Sequence, residues 1–454
     1  ARVEAASKEI MAACIEVGGT ITGEHGVGID KRGYLPLVCP PPVLRAMGEV
    51  RRAFDPEGRC NPGKVLPDGW GPPGPPRAPP AGGQAEEERG TGGRATEDAS
   101  RAVGGVLEYE PADLVIRMDA RGSLSELAEI AARSGQWLPH DPPGGTALTL
   151  AEAVASGRSG PLRAGFGRIR DHVLGLTLET HAGERLPLGG RVVKNVAGFD
   201  LVRLVVGSGE RFGRIVDVTL RLFPIPQADR TLLWEFPGDA EALAFGRRLV
   251  STGVPVAALG WFGGPAGPGG PEAPGGVVAA RILGSRAASD FMEEQLIAAA
   301  GLGGSGTSRI GPRKLEGTEG AAWWEERARE AGGLTPRLEG TLSLRSAGMP
   351  AASGALLEAF RPLVGRGEGR GTGSWLAAHL MDGGVEARIP AGGIPGPGEA
   401  GRAPFEEAVR SAGGHLVVQG EARRPDDPVR ARILAEIDTV FLGAVPPATA
   451  GGSR

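Results

Sequence analysis

Val3, Ala6, Ile10, Ala13, Cys14 and Val17 recur at helical spacing, and Gly18-Gly19 close the run. Val43, Leu44, Met47, Val50 and Phe54 repeat the pattern, with Pro41 and Pro42 in the first turn, where their missing N–H costs nothing. The turn-rich run "DPEGRCNPGK" ends this second helix. Residues 67–100 are rich in Pro and Gly and then in charge, with no apolar period, so they read as a linker. The 66 residues ahead of it hold two helices and little else, too little to bury a core alone.

A second unit starts near residue 105. "DLVIRMDA" alternates as a strand. "SLSELAEIAARSG" is a helix with a capping box, Ser123 as N-cap and Glu126 three positions on, and Gly135 ends it. In "TLAEAV", Thr149 and Glu152 have the same spacing. "VLGLTLETHAGERLPL" reads as a hairpin turning at His181 to Glu184. "GRIVDVTLRLFP" sets Val216, Val218, Leu220 and Leu222 on one face and Asp217, Thr219 and Arg221 on the other. Beyond Pro226, strands ("TLLWEF", "AALGWF", "GVVAARIL", "TLSLRS", "HLVVQG") interleave with helices near 287–300 and 321–331. The Gly/Pro-rich stretches 263–276 and 364–373 are expected loops. Without strict βαβα alternation, the fold class is α+β.

Composition narrows the function classes. The chain has 454 residues and a net charge of −4, so nothing points to nucleic acid or an anionic membrane surface. No apolar run approaches the ~18 residues of a membrane span, and the first residues carry no signal-peptide pattern. Cys14, Cys39 and Cys60 contain no C-x-x-C pair, which argues against a disulfide framework, a zinc knuckle or an iron–sulfur cluster held by this chain. A reducing cytoplasm is the expected compartment, with any inner-membrane association peripheral and made through partners.

Two stretches are dense in possible chemistry. "GTITGEHGVGID" sets Glu24 and His25, a pair able to bind a metal or move a proton, among glycines. A lone Glu–His pair cannot complete a four-ligand site, so no metal is expected. "LGGRVVKNVAGFDLVRLVVGSGERFGRIVDVTL" places Lys194, Asn195 and Asp200 between recurring glycines. Glycines at a helix-to-strand turn can lay bare amides against a flat or anionic ligand, or can merely relieve tight turns. No G-x-G-x-x-G stands between a strand and a helix, so a nicotinamide site is not supported. Arg170-Asp171 reads as a pair fixing a turn, and Asp200 and Arg203 lie one helical turn apart and can pair. The remaining histidines, His140, His172, His181, His379 and His415, read as surface or structural, and Trp323-Trp324 as core.

"GGRVVKNVAGFDLVRLVVGSGERFGRIVDVTLRLFP", with "SGPLRAGFGRIRDHVLG" upstream, closely resembles the smaller flavoprotein subunit of bacterial glycolate oxidase, within the vanillyl-alcohol-oxidase or PCMH-type FAD family. "GEHGVG" and "DPEGRCNPGK" resemble the C-terminal tail of the larger, catalytic subunit. The resemblance implies a D-type tail at 1–66, the linker at 67–104, an FAD-binding domain with an incomplete first lobe at 105–226, and an α+β cap-like domain at 227–446. Under it, the Glu24–His25 motif stands apart from the body of its own enzyme, which is expected upstream. The implied cofactor is FAD, with Gly190, Lys194, Asn195, Gly198, Asp200, Gly207, Ser208, Gly213 and Ile215 as binding positions. His25 and Glu24 are the implied catalytic positions. The implied reaction is oxidation of a 2-hydroxy acid, and the implied partners are a catalytic flavoprotein subunit and an iron–sulfur subunit. The alternative is an assembly subunit that binds flavin weakly or not at all. This chain departs from the family at Ala151-Glu152, where Gly-Gly is usual, and at "GSGERFG", where G-S-x-G-T-L-G is commoner.

Overall fold

The computed structural model describes residues 2–17, 19–22, 25–70, 105–191, 197–263, 276–301 and 312–330. Of the last part it describes Glu407 and the strands at 341–347, 375–379, 384–390 and 415–418. The Gly/Pro-rich stretches 71–100, 264–275 and 364–373 lie outside these residues.

In the tail, α1 (Arg2–Glu16) and α2 (Pro41–Phe54) form where the apolar spacing places them, with Pro at the first positions of α2. A 3₁₀ turn at Arg32–Leu37 lies between them. After α2, Asp55 accepts the Arg59 and Cys60 amides at 2.8 Å each, and Arg51 donates to the Asn61 carbonyl at 3.1 Å. The Val65 amide donates to the Gly28 carbonyl at 2.9 Å, and Arg32 donates to that of Gly63 at 2.9 Å. The two conspicuous motifs of the tail are therefore folded against each other.

The next unit runs β1 (Val106–Glu110), β2 (Val115–Asp119), α3 (Leu124–Ala132), β3 (Gln136–Trp137), α4 (Leu150–Ser156), α5 (Arg163–Phe166) and α6 (Ile169–His172). It continues through β4 (Val173–Glu179), β5 (Arg185–Gly189), α7 (Leu201–Val205), β6 (Arg214–Arg221) and β7 (Phe223–Pro224). Five strands make an antiparallel sheet in the order β1-β2-β6-β4-β5, with the short β3–β7 ladder beside it. The expected hairpin is β4–β5. On β6, Asp217 and Thr219 are buried too, and Arg117 holds Asp217 through two hydrogen bonds at 2.9 and 2.8 Å. The polar side of the strand is thus covered by its own ion pair.

α2 lies against the edge strand β5, and the tail does not stand alone. Leu35, Val43, Leu44 and Met47 belong to one continuous core with Leu186, Leu188, Leu201 and Val205. Each such side chain contributes about 1.5–3 kcal/mol by leaving water. Arg45 adds an exposed ion pair to Glu184 at 3.2 Å. The sheet edge completes the core of the tail.

The last part contains β8 (Ala228–Phe236), α8 (Asp239–Ser251), β9 (Ala258–Gly263), β10 (Gly276–Gly284), α9 (Arg286–Gly301), β11 (Arg313–Glu316) and α10 (Thr318–Glu330). Strands β12 (Thr341–Ala347), β13 (Trp375–His379), β14 (Gly384–Pro390) and β15 (His415–Val418) follow. The sheet order is β11-β8-β10-β9-β13-β14-β12-β15. α8, β11, β13 and β14 have no counterpart in the sequence reading. Trp324 is core, as expected, and donates to the Thr231 hydroxyl at 3.0 Å. This sheet meets the five-stranded unit where the Gly144 amide donates to the Ala328 carbonyl (2.9 Å), Thr146 to Glu325 (3.0 Å) and the Gly165 amide to the Ala257 carbonyl (3.2 Å).

Candidate functional site

A cavity of about 790 Å³ lies where the tail meets the end of the β4–β5 hairpin. That size is ordinary for a site holding a cofactor or a drug-sized ligand. Ile15, Leu37, Val43 and Met47 give it an apolar wall from the tail side, and the Thr20 hydroxyl joins them. Gly189 and Gly190 form its opposite floor, with Ala197–Val202 beside them.

Close approach explains the glycines here. Gly189 sits at φ +73°, and a Cβ on it would come within 2.3 Å of the Leu174 carbonyl oxygen and 2.8 Å of Val202 Cγ2. Gly198, at φ +84°, faces Met47, whose sulfur would lie 2.7 Å from an added Cβ. This glycine fits the tail as well as lining the cavity.

Three guanidiniums border the space. Arg191 pairs with Glu108 at 2.6 Å and Arg203 with Asp200 at 3.0 Å, the pairing expected from their spacing. Arg170 lies 4.0 Å from Asp171, whose other oxygen accepts the Arg168 amide at 2.9 Å and so fixes the α6 turn. The buried Oγ1 of Thr20, a residue of the cavity wall, and the buried Oγ of Ser208, elsewhere, are among the polar atoms that lack partners among the described residues. Burial pushes the Cys39 thiol, also in the wall, up to about 11, so it is neutral there.

The structure divides the positions implied for the cofactor. Gly190, Gly198 and Asp200 line the cavity. Gly207, Ser208, Gly213 and Ile215 are not among its lining residues. The amides of this turn are spent internally: Gly207 donates to Val154, Ser208 to Val205, Gly209 to Ala155 and Gly213 to Glu210, at 2.8–3.1 Å. Of the two readings of these glycines, the hydrogen bonds fit tight-turn relief, because the turn is stitched to the end of α4. Gly213, at φ +140°, is packed against the Glu179 carbonyl. Lys194, Asn195 and Glu24 lie outside the described residues. His25 is exposed and is not in the cavity wall, whereas Thr20, five positions earlier, is.

Ala151-Glu152 proves to be the start of α4. The Glu152 carboxylate accepts the Thr149 amide and hydroxyl at 2.9 Å each, while the Thr149 hydroxyl accepts the Glu152 amide at 3.2 Å. Glu152→Ala is expected to cost about 1 kcal/mol of stability through the lost cap. Denaturant unfolding of the two proteins side by side measures it. His140 and His172 are buried, and each Nε2 lacks a partner among the described residues. Burial, and secondarily His172, holds His140 down to about 3. His181 is exposed, with Nε2 3.3 Å from the Arg211 carbonyl.

The comparisons with known proteins bear on the same two segments. Residues 1–65 match the family described as FAD linked oxidases, C-terminal domain, and residues 94–189 match FAD binding domain. Glycolate oxidase subunit GlcE of Escherichia coli (strain K12) is 34% identical over 193 residues, 42% of this chain and 55% of that protein. A D-lactate dehydrogenase of Anaerostipes hadrus is 29% identical over 139 residues, 31% of this chain and 29% of that protein. Glycolate oxidase subunit GlcD of Escherichia coli (strain K12) is 40% identical over 67 residues, 15% of this chain and 13% of that protein. The chain thus spans about half the length of the first of these relatives and under a third of the other two. A solved structure of alkyldihydroxyacetonephosphate synthase superposes with a TM-score of 0.53 at 14% identity, covering 75% of this chain and 65% of that one. It shares the fold. FAD is the cofactor these matched domains bind, and an apolar wall opposite a glycine floor with cationic edges suits a flat, anionic group of that kind. Among the described residues, no group of three or more His, Cys, Asp or Glu could hold a metal, and no helix is long and apolar enough to cross a membrane.

Proposed function

We propose that the chain, whose matched segments are those of FAD-linked oxidases and of an FAD-binding domain, is the FAD-binding subunit of a 2-hydroxy-acid oxidoreductase complex. The observation that carries the reading is the cavity itself, walled on one side by the segment matching the oxidase C-terminal domain and floored on the other by the end of the segment matching the FAD-binding domain. Gly190, Ala197–Asp200 and the Met47–Val43 wall would hold the flavin. FAD, when bound, supplies the acceptor for the hydride equivalent leaving C2 of the substrate. The protein's own contribution is to exclude water with the apolar wall and to orient charge with the guanidiniums. Three cysteines are too few for a four-thiolate cluster, so the electrons would pass to a separate iron–sulfur subunit, beside a catalytic flavoprotein subunit.

A second reading, an assembly subunit without flavin, draws on the saturated amides of the 207–213 turn. Titration of the purified chain with FAD, followed by flavin fluorescence, separates the two. Saturable binding is expected, and His25→Ala should titrate like the parent because His25 is outside the cavity wall. With a dye acceptor and no partner subunits, no turnover of a 2-hydroxy acid is expected. A flat flavin titration would select the assembly reading.

A further inference from the structure

Val3, Ala6, Ile10, Ala13 and Val17 stand alternately three and four residues apart, the spacing of a coiled-coil seam. The structure leaves this seam open. Ala6 and Ala13 are exposed, and Ile10 and Val17 are 59% and 86% exposed. The Val17 amide still donates to the Ala13 carbonyl at 3.3 Å, so the helical turn runs on past the end of α1. The opposite side of the helix seats it, with Met11 and Ile15 packed against the core. A helix that is apolar on two sides is suited to being covered on both.

The charges beside the seam select what covers it. Glu9 and Glu16, seven residues apart, lie along one flank, both exposed and neither ion-paired among the described residues. Ser7 and Cys14 lie on the other flank. A second copy of the chain meets this pattern badly. Antiparallel pairing sets the two glutamates of one copy against those of the other, and parallel pairing sets them against Ser7 and Cys14, which offer no positive charge. We propose that the seam docks an amphipathic helix of a partner protein, one whose own apolar row is flanked by Lys or Arg. The tail then joins two bodies, with β5 on one side and the partner helix on the other. This holds whether or not the cavity takes FAD.

The probe is a synthetic peptide of about three heptads with Leu at the seam positions and Lys at both flanking positions. Fluorescence anisotropy follows its binding to the full chain, beside the same peptide with Glu in place of Lys. Saturable binding of the Lys peptide is expected, with the Glu peptide at least about tenfold weaker. Ile10→Asp should weaken the Lys peptide by about tenfold or more, and Glu9→Lys combined with Glu16→Lys should reverse the preference between the peptides. Ile10, Glu9 and Glu16 are exposed, so thermal unfolding of these variants should stay close to that of the parent. In the unaltered chain, the Lys peptide should slow alkylation of Cys14 and leave that of Cys60 unchanged, both thiols being exposed. No binding of the Lys peptide, equal binding of the two peptides, or Cys14 left unprotected would overturn the proposal. Binding indifferent to Ile10→Asp would overturn it as well. A parent that sediments as a dimer, with Ile10→Asp a monomer, would give the seam to a second copy and overturn it too.

Discussion

Gly189→Ala is expected to destabilise the chain by about 2–5 kcal/mol, the sum of backbone strain at positive φ and overpacking of a closed site. The unyielding neighbour is backbone: the Leu174 carbonyl oxygen would lie 2.3 Å from the new Cβ, and Gly175 Cα 2.9 Å. Relief requires opening the end of the β4–β5 ladder, where Gly175 pairs with Gly189, and the adjoining Gly190 amide would lose its 3.1 Å bond to Leu174. The floor of the cavity moves with it, so FAD should bind at least about tenfold more weakly, which needs a loss of only ~1.4 kcal/mol. Gly183→Ala is the matched control. It has a similar φ of +80° at the hairpin tip, but an added Cβ meets nothing within 4 Å. Thermal unfolding should therefore fall by roughly 10 °C for Gly189→Ala and by far less for Gly183→Ala. Equal shifts for the two variants would show that the close approach at Gly189 is relieved at no cost.

Asp141 gives the second large effect, and it depends on pH. The residue is half-buried, at the join between the two sheets, and the turn at 159–163 folds over its carboxylate. Burial pushes its carboxyl from 3.8 up to about 7, against the opposing pull of the Leu162 amide, Arg281 and Arg163. The Leu162 amide donates at 3.0 Å, while Arg281 is already held by Asp229 at 2.7 Å. Because the folded value is raised, the folded chain keeps a proton that the unfolded chain releases. Stability is full below about 4 and is lost as pH rises through about 7. Three units of displacement correspond to up to about 4 kcal/mol. Asp141→Asn keeps an acceptor for the Leu162 amide and removes the charge. Urea unfolding should place it within about 1 kcal/mol of the parent at pH 4 and well above it at pH 8. A difference that does not change with pH would contradict this assignment.

The sequence made local structure legible where short-range chemistry decides it. Both capping boxes, Ser123–Glu126 and Thr149–Glu152, form as their spacing indicates, and so do the proline start of α2 and the β4–β5 hairpin. What it concealed depends on contacts between distant segments. Thr20 carries no signal of its own, and it lines the cavity with α2 seating the tail on β5. Gly198 reads as a ligand glycine until Met47, about 150 residues earlier, is found against it. Gly207 and Gly209 look like exposed amides in the sequence, yet the carbonyls that use them belong to α4. β13 and β14 carry little signal of their own and are held between β9 and β12, distant in the chain, whereas α8 is legible in the apolar face of Ala242, Leu243, Phe245 and Leu249.

The central claim is that two segments, one resembling an oxidase tail and the other an FAD-binding domain, share a single site. Hydrogen exchange of the full chain with and without FAD tests it most directly. FAD should slow exchange together in the tail loops at 19–22 and 37–39 and in the floor at 189–191 and 197–200. Protection confined to 105–226, with the tail exchanging as before, would contradict a shared site.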